Sequence, residues 1–153
     1  MRITSTKIIQ PFKHETVERP WGFYGLYSDN EPCTSKILYI QPQETLSLQV
    51  HFKRDQFYLI LDGPFLIHYS TKPIPQEIIE NPNEPQRFKD TEDFLVAHLV
   101  SETANEDDMF GFHKLVVHRA QYLGNKKYGR ILDIAFGHND ETDIVRLQDK
   151  YYR

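Results

Sequence analysis

Between Leu46 and Lys53 the chain alternates without a break. Leu46, Leu48, Val50 and Phe52 fall on one side, and Ser47, Gln49, His51 and Lys53 on the other. Successive side chains of an extended strand point to opposite faces, so this stretch reads as a strand with one apolar and one polar face. A polar face carrying Gln-x-His suits the wall of a small β-barrel whose interior holds a ligand or a metal.

Other short runs repeat the strand signal. They are Lys36–Gln41 (closed by Pro42), Gln56–Leu61, Phe65–Tyr69 after the turn signal Asp62-Gly63-Pro64, His113–Ala120 and Gly129–Phe136. Ten Phe and nine Tyr in 153 residues add to the strand preference. Short strands separated by turn signals predict an all-β sandwich or barrel, and the length predicts a single domain. One segment breaks the rhythm. Residues 71–112 hold Pro73, Pro75, Pro82 and Pro85, and ten acids against three bases. Its first half is expected to be an excursion over the surface, with a lid over the barrel mouth as the sharper alternative. Phe94–Val100 fits a strand or a short helix. The expected organisation is an N-terminal arm or strand over 1–17 and one domain over 18–153, with an acidic, proline-containing insertion at about 71–112.

The charge pattern narrows the partners. A net charge of −4 argues against non-specific nucleic-acid binding. The segment 71–112 carries −7, so the rest of the chain carries +3. A mildly cationic body suits an anionic small substrate such as a phosphosugar, an ordinary solvated surface being the plainer alternative. No uninterrupted apolar run reaches membrane-spanning length, Met1–Lys13 lacks a secretory signal, and Cys33 is alone. A cytoplasmic protein without membrane contact is therefore expected, with Cys33 a bystander thiol.

Four segments then carry a resemblance: Glu18-Arg-Pro-Trp-Gly22; Leu46-Ser-Leu-Gln-Val-His51 with Arg54 soon after; Val117-His118-Arg119; and Asp143-Ile-Val-Arg-Leu-Gln-Asp149 with Tyr151 and Arg153. In this order they resemble the cupin domain of type II mannose-6-phosphate isomerases, over roughly residues 18–70 and 112–153. That domain is often fused to a guanylyltransferase, and nothing here resembles the Gly-rich nucleotide loop of that half. The resemblance implies a cupin fold, a double-stranded β-helix or jelly-roll-like barrel of two antiparallel sheets. It also implies a divalent metal, zinc or similar, held by four side chains. The family's motif places fall on Gln43, Gln49, His51, Gln56 and Gly63, with the last metal ligand at His118. Three departures matter. Gln56 stands where the family has Glu, Lys53 replaces a third His, and His113, Leu115 and Tyr122 replace the Pro, Gly and Asn around His118.

Gln49, His51, Gln56 and His118 carry no formal charge, and Lys53, sharing their face by strand parity, would repel a cation. Weak metal binding or none is expected. Asp55, of opposite parity, points off that face. Lys53 and Arg119 are the candidate catalytic residues, as contacts to a phosphate or oxyanion, and Lys53, Arg54 and Arg119 the candidate substrate-binding residues. Trp21 reads as a core plug, with a sugar platform as the alternative. Arg146 reads as a structural ion pair, with a phosphate contact as the alternative. His68 and His98 read as packing residues, whereas His14, His113 and His138 have no usable spacing. Three functions stay open. The first is isomerisation of mannose 6-phosphate and fructose 6-phosphate through an enediol. The second is a non-catalytic cupin that binds a phosphosugar, nucleotide sugar or glycan without metal. The third is a structural or assembly cupin. The resemblance also implies a homodimer.

Overall fold

The computed structural model describes residues 15–30, 33–138 and 140–151. The expected arm is therefore described only from Glu15 onward, and His14 and Arg153 lie outside the described residues. Eleven strands form two antiparallel sheets packed face to face. One sheet has the order β1 (Glu15–Arg19), β2 (Gly22–Ser28), β3 (Thr34–Ile40), β10 (Gly129–Gly137), β5 (Arg54–Asp62), β8 (Met109–Phe112). The other has the order β11 (Ile144–Gln148), β4 (Leu48–His51), β9 (His118–Tyr122), β6 (Phe65–Ser70), β7 (Leu99–Ala104). The period-2 patterns read from the sequence lie on β3, β4, β5, β6 and β10. The stretch His113–Val117, expected to extend β9, is instead a tight loop in which Leu115 has a positive φ of 65° and its N–H donates to the His51 carbonyl.

The space between the sheets is filled from both sides. Leu38, Tyr58, Ile60 and Ile131 come from one sheet, and Phe65, Ile67, Ala120 and Tyr122 from the other. Trp21 joins this core at the turn between β1 and β2. Gly22, at the end of the Glu18–Gly22 motif, has a φ of +146°, and a Cβ there would sit 1.9 Å from the Tyr39 carbonyl oxygen. Only glycine permits that close antiparallel approach.

The proline-rich acidic segment is not an irregular excursion, and it does not cover the barrel mouth. It forms α1 (Gln76–Ile79) and α2 (Glu84–His98) before entering β7. Asn83 caps α2, its side-chain oxygen accepting from the Gln86 N–H at 3.1 Å, and a proline occupies the first turn. Pro85, one of the prolines of the expected excursion, instead belongs to a helix start. The helices bring Ile74, Phe94 and Leu95 against Leu48, Val50 and Val117, a second buried cluster on the outer face of the five-stranded sheet. The apolar face of β4 thus packs under the helices, and its polar face points into the sandwich. Within 71–112, the strands β7 and β8 belong to the sheets themselves. No helix among the described residues is long and apolar enough to cross a membrane.

Candidate functional site

The polar face of β4 and the register of β9 set the first two side chains together, Gln49 being directly paired with His118. Across the sandwich, β5 points Arg54 and Gln56 inward, and β10 points Asp133 inward from between Lys36 on β3 and Tyr58 on β5. His51, Gln56 and His118 are buried, and the imidazole rings of His51 and His118 lie 5.4 Å apart.

Hydrogen bonds fix the orientation of each group. The Ser47 hydroxyl donates to Gln49 Oε1 at 2.8 Å, which turns the Gln49 amide nitrogen toward His51 Nε2 at 3.5 Å. An Arg54 guanidinium nitrogen lies 3.4 Å from the same His51 nitrogen. Facing two donors, Nε2 is the acceptor and the ring proton sits on Nδ1. Burial, then the neighbouring His118 and Arg54 charges, pull the His51 pKa down to about 2. Gln56 Nε2 donates to both oxygens of Asp133, at 2.8 and 2.9 Å, leaving Gln56 Oε1 to accept from His118 Nε2 at 2.7 Å. Burial brings the His118 pKa down to about 4, against the opposing pull of the Val116 carbonyl 2.9 Å from Nδ1. Burial thus shifts both rings toward the neutral form.

A cavity of about 70 Å³, room for about five water-sized groups, opens beside this network. Its deep part is lined by Lys36, Arg54, Gln56, Tyr58 and Asp133, all buried, and its rim by the half-buried Arg19, Gln49 and Arg146. Trp21 forms part of the wall while also packing in the core. Four cationic side chains and one carboxylate therefore line the same cavity. Lys36 also lies over the Tyr24 ring, its Nζ 4.6 Å from the centroid. Neither imidazole lines the cavity; both sit behind Gln49, Gln56 and Arg54.

Of the residues singled out in the sequence, Gln49, His51, Gln56 and His118 converge, and Arg54 joins them. Lys53 does not. A bend at Phe52–Lys53, held by both backbone N–H groups donating to the Asp143 carboxylate at 3.0 and 3.1 Å, interrupts the strand parity. Lys53 leaves into solvent, 4.0 Å from Asp140, and Arg54 takes the inward place. Arg119 also lies elsewhere. It follows the inward-facing His118, so it projects from the outer face of its sheet, opposite His68. Arg146 lies 3.9 Å from Asp149 and also reaches the cavity rim, so both readings of it have a counterpart here. Asp133 and Lys36 were missed in the sequence. Their signal was a charge on the apolar face of a strand, Asp133 between Ile131 and Ala135, and Lys36 two places before Leu38.

Among known proteins, residues 8–81, just under half of the chain, match the family model described as mannose-6-phosphate isomerase C-terminal. The match begins before the described residues and ends before β9. No curated protein sequence matches. Similar solved structures include the capsular polysaccharide assembling protein CapF from Staphylococcus aureus, with TM-score 0.63 and 11% identity over 94% of this chain and 35% of that one. KdgF from Halomonas sp. has TM-score 0.56 and 11% identity, over 86% of this chain and 93% of that one. Oxalate decarboxylase from Bacillus subtilis has TM-score 0.63 and 13% identity, over 88% and 30%. The chain thus spans about a third of the length of CapF and of the decarboxylase. The chain has the cupin fold, and its first half resembles the C-terminal domain of mannose-6-phosphate isomerases.

The metal that this resemblance implies does not fit the residues present. Two of the four donors are neutral amides. Gln56 Oε1 is engaged by His118, and His51 Nε2 faces the Arg54 guanidinium. No group of three or more His, Cys, Asp or Glu with a metal-holding arrangement exists among the described residues. A cation placed here would meet the Arg54 guanidinium, and the nearby Asp133 carboxylate is already engaged by Gln56.

Proposed function

We propose that this cupin binds an anionic, hydroxyl-bearing small molecule of the sugar-phosphate class, using protein cations rather than a metal. The observation that carries this reading is the cavity itself, lined by Lys36 and Arg54 among the buried residues and by the half-buried Arg19 and Arg146, together with Asp133. Guanidinium groups are well shaped for phosphate oxygens. Asp133, Gln49 and Ser47 suit the hydroxyls of a sugar, and Trp21 and Tyr24 offer apolar walls. A hexose phosphate exceeds the cavity, so part of the ligand would remain at the rim. The family match supports a phosphorylated sugar over other anions. Calorimetric titration with mannose 6-phosphate, fructose 6-phosphate, inorganic phosphate and mannose tests this. The expected result is tighter binding of the phosphorylated sugars than of mannose, weakened by at least ~10-fold in Arg146→Met, as loss of a charge-assisted contact implies. Equal or absent binding of all four would overturn it.

A second reading, isomerisation of mannose 6-phosphate and fructose 6-phosphate, is favoured by the same family match and by a carboxylate at the cavity. Asp133 would take the proton from the hydroxyl-bearing carbon beside the carbonyl and return it to the former carbonyl carbon, while the hydroxyl proton passes to the former carbonyl oxygen of the enediol, with Arg54 facing that developing negative oxygen. In that case Asp133→Asn abolishes turnover in a coupled fructose 6-phosphate assay and leaves sugar-phosphate binding within a few-fold. Wild-type protein that binds without turning over leaves only the first reading.

A further inference from the structure

The charges that line the cavity divide by burial. Lys36, Arg54 and Asp133 are 8%, 4% and 7% exposed, whereas Arg19 and Arg146 are half-buried. The other buried polar groups of the network add no charge. Gln56 is an amide, burial pushes the Tyr58 hydroxyl well above its usual range, and burial shifts His51 and His118 toward the neutral form. The buried part of the lining therefore holds two cations and one carboxylate, an excess of one positive charge. A guanidinium does not shed its proton. The Lys36 ammonium is held 4.6 Å from the Tyr24 ring centroid, over a π face that favours a cation. A net charge kept out of water is costly until an opposite charge meets it.

The half-buried cations form a second group. Arg19 donates to the Glu18 carbonyl at 2.9 Å and to the Tyr24 hydroxyl at 3.4 Å, both neutral acceptors. Arg146 lies 3.9 Å from Asp149, beyond hydrogen-bond reach, and its buried Nε has no hydrogen-bond partner among the described residues. A donor shut away from water without an acceptor is destabilising, so an acceptor brought to it binds with advantage. The two groups call for different anions. A phosphate ester carries close to two charges at neutral pH, more than the single excess charge beside Asp133. A carboxylate carries one charge and is small enough for a cavity of about 70 Å³. The larger, doubly charged phosphate suits the two half-buried arginines, whose forked donors match its oxygens.

We propose that the ligand is a phosphorylated sugar acid, its carboxylate held by Lys36 in the buried part of the cavity and its phosphate by Arg19 and Arg146. This rests on the reading that the cavity binds a phosphosugar, and adds a second anionic group at the other end of that ligand. The charges then match at both ends: one carboxylate meets the buried excess, and one phosphate meets the two half-buried arginines. A sugar with a phosphate alone leaves the buried excess without its counter-charge.

Calorimetric titration with 6-phosphogluconate, glucitol 6-phosphate and gluconate separates the two ends. Glucitol 6-phosphate differs from 6-phosphogluconate only in a hydroxymethyl group where the other has its carboxylate. The wild type is expected to bind 6-phosphogluconate at least ~10-fold more tightly than glucitol 6-phosphate, as one charge-assisted contact implies, and more tightly than gluconate. Lys36→Met removes the buried excess, and the ratio between the two phosphate esters should fall to within ~3-fold. Arg146→Met should weaken both esters alike, by at least ~10-fold, and keep their ratio. The wild-type ratio needs no variant, so it decides the matter even where Lys36→Met fails to fold. Glucitol 6-phosphate bound as tightly as 6-phosphogluconate, or a preference that survives Lys36→Met, would overturn this proposal and leave the phosphosugar reading standing. Failure of both esters and of mannose 6-phosphate to bind would overturn the two together.

Discussion

Gln56 is the residue on which the site turns. Its amide nitrogen is committed to Asp133 and its oxygen to His118, so one neutral side chain joins a carboxylate to an imidazole across the two sheets. Gln56→Met keeps the volume and removes all three bonds, leaving a buried carboxylate short of a donor. A loss of about 2–4 kcal/mol is expected in urea unfolding. The two histidines make a separate prediction. Both pKa values lie below the ordinary 6.5, at about 2 for His51 and about 4 for His118, mainly through burial. The unfolded chain therefore takes up protons that the folded chain refuses once pH falls below about 6.5. Stability is full above that pH and declines as pH drops through 6.5 toward 4, and further for His51. Between pH 7 and pH 5 each histidine contributes a loss of about 2 kcal/mol. His118→Gln flattens part of that slope; a urea midpoint constant from pH 7 to 5 contradicts the neutral-ring picture.

At the scale of elements, a bend and a helix pair decide what the strands present. The Asp143 carboxylate receives the Phe52 and Lys53 N–H groups, so the last strand's approach fixes the break between β4 and β5. Asp143→Ala is expected to cost about 2–3 kcal/mol in urea unfolding and to weaken sugar-phosphate binding by displacing Arg54. The docking of α2 is separable from the cavity. Phe94→Ala should destabilise by about 3 kcal/mol and leave ligand affinity unchanged, because Phe94 packs on the outer side of the sheet. These two features also mark where reading the sequence stopped. Strand parity placed Gln49 and His51 on the inner face, because a strand's period is a local property. Carried past His51, the same parity put Lys53 inside and missed Arg54's advantage, because the bend depends on a carboxylate ninety residues away. The helix at 84–98 was hidden by a proline-rich stretch in which Pro85 sits in the helix's first turn, where proline is tolerated. Asp133 was visible as a charge in an apolar strand, but its partner Gln56 lies 77 residues distant.

For the whole molecule, the sandwich covers one outer face with its own helices, which pack Ile74, Phe94 and Leu95 against Leu48, Val50 and Val117. The fold was largely legible because alternating runs and turn signals recur along the chain. The site was legible in its four central residues and not in its electrostatics, since the cations reach the cavity from β1, β3, β5 and β11. What unites the molecule is a cavity whose positive charge is built from side chains. The direct test is calorimetric titration of mannose 6-phosphate, first with chelator and then with added zinc or manganese. The same affinity in both conditions, with a loss of at least ~30-fold in Arg54→Met as for a buried charge-assisted contact, is the predicted result. Binding that appears only when the metal is supplied would contradict the account.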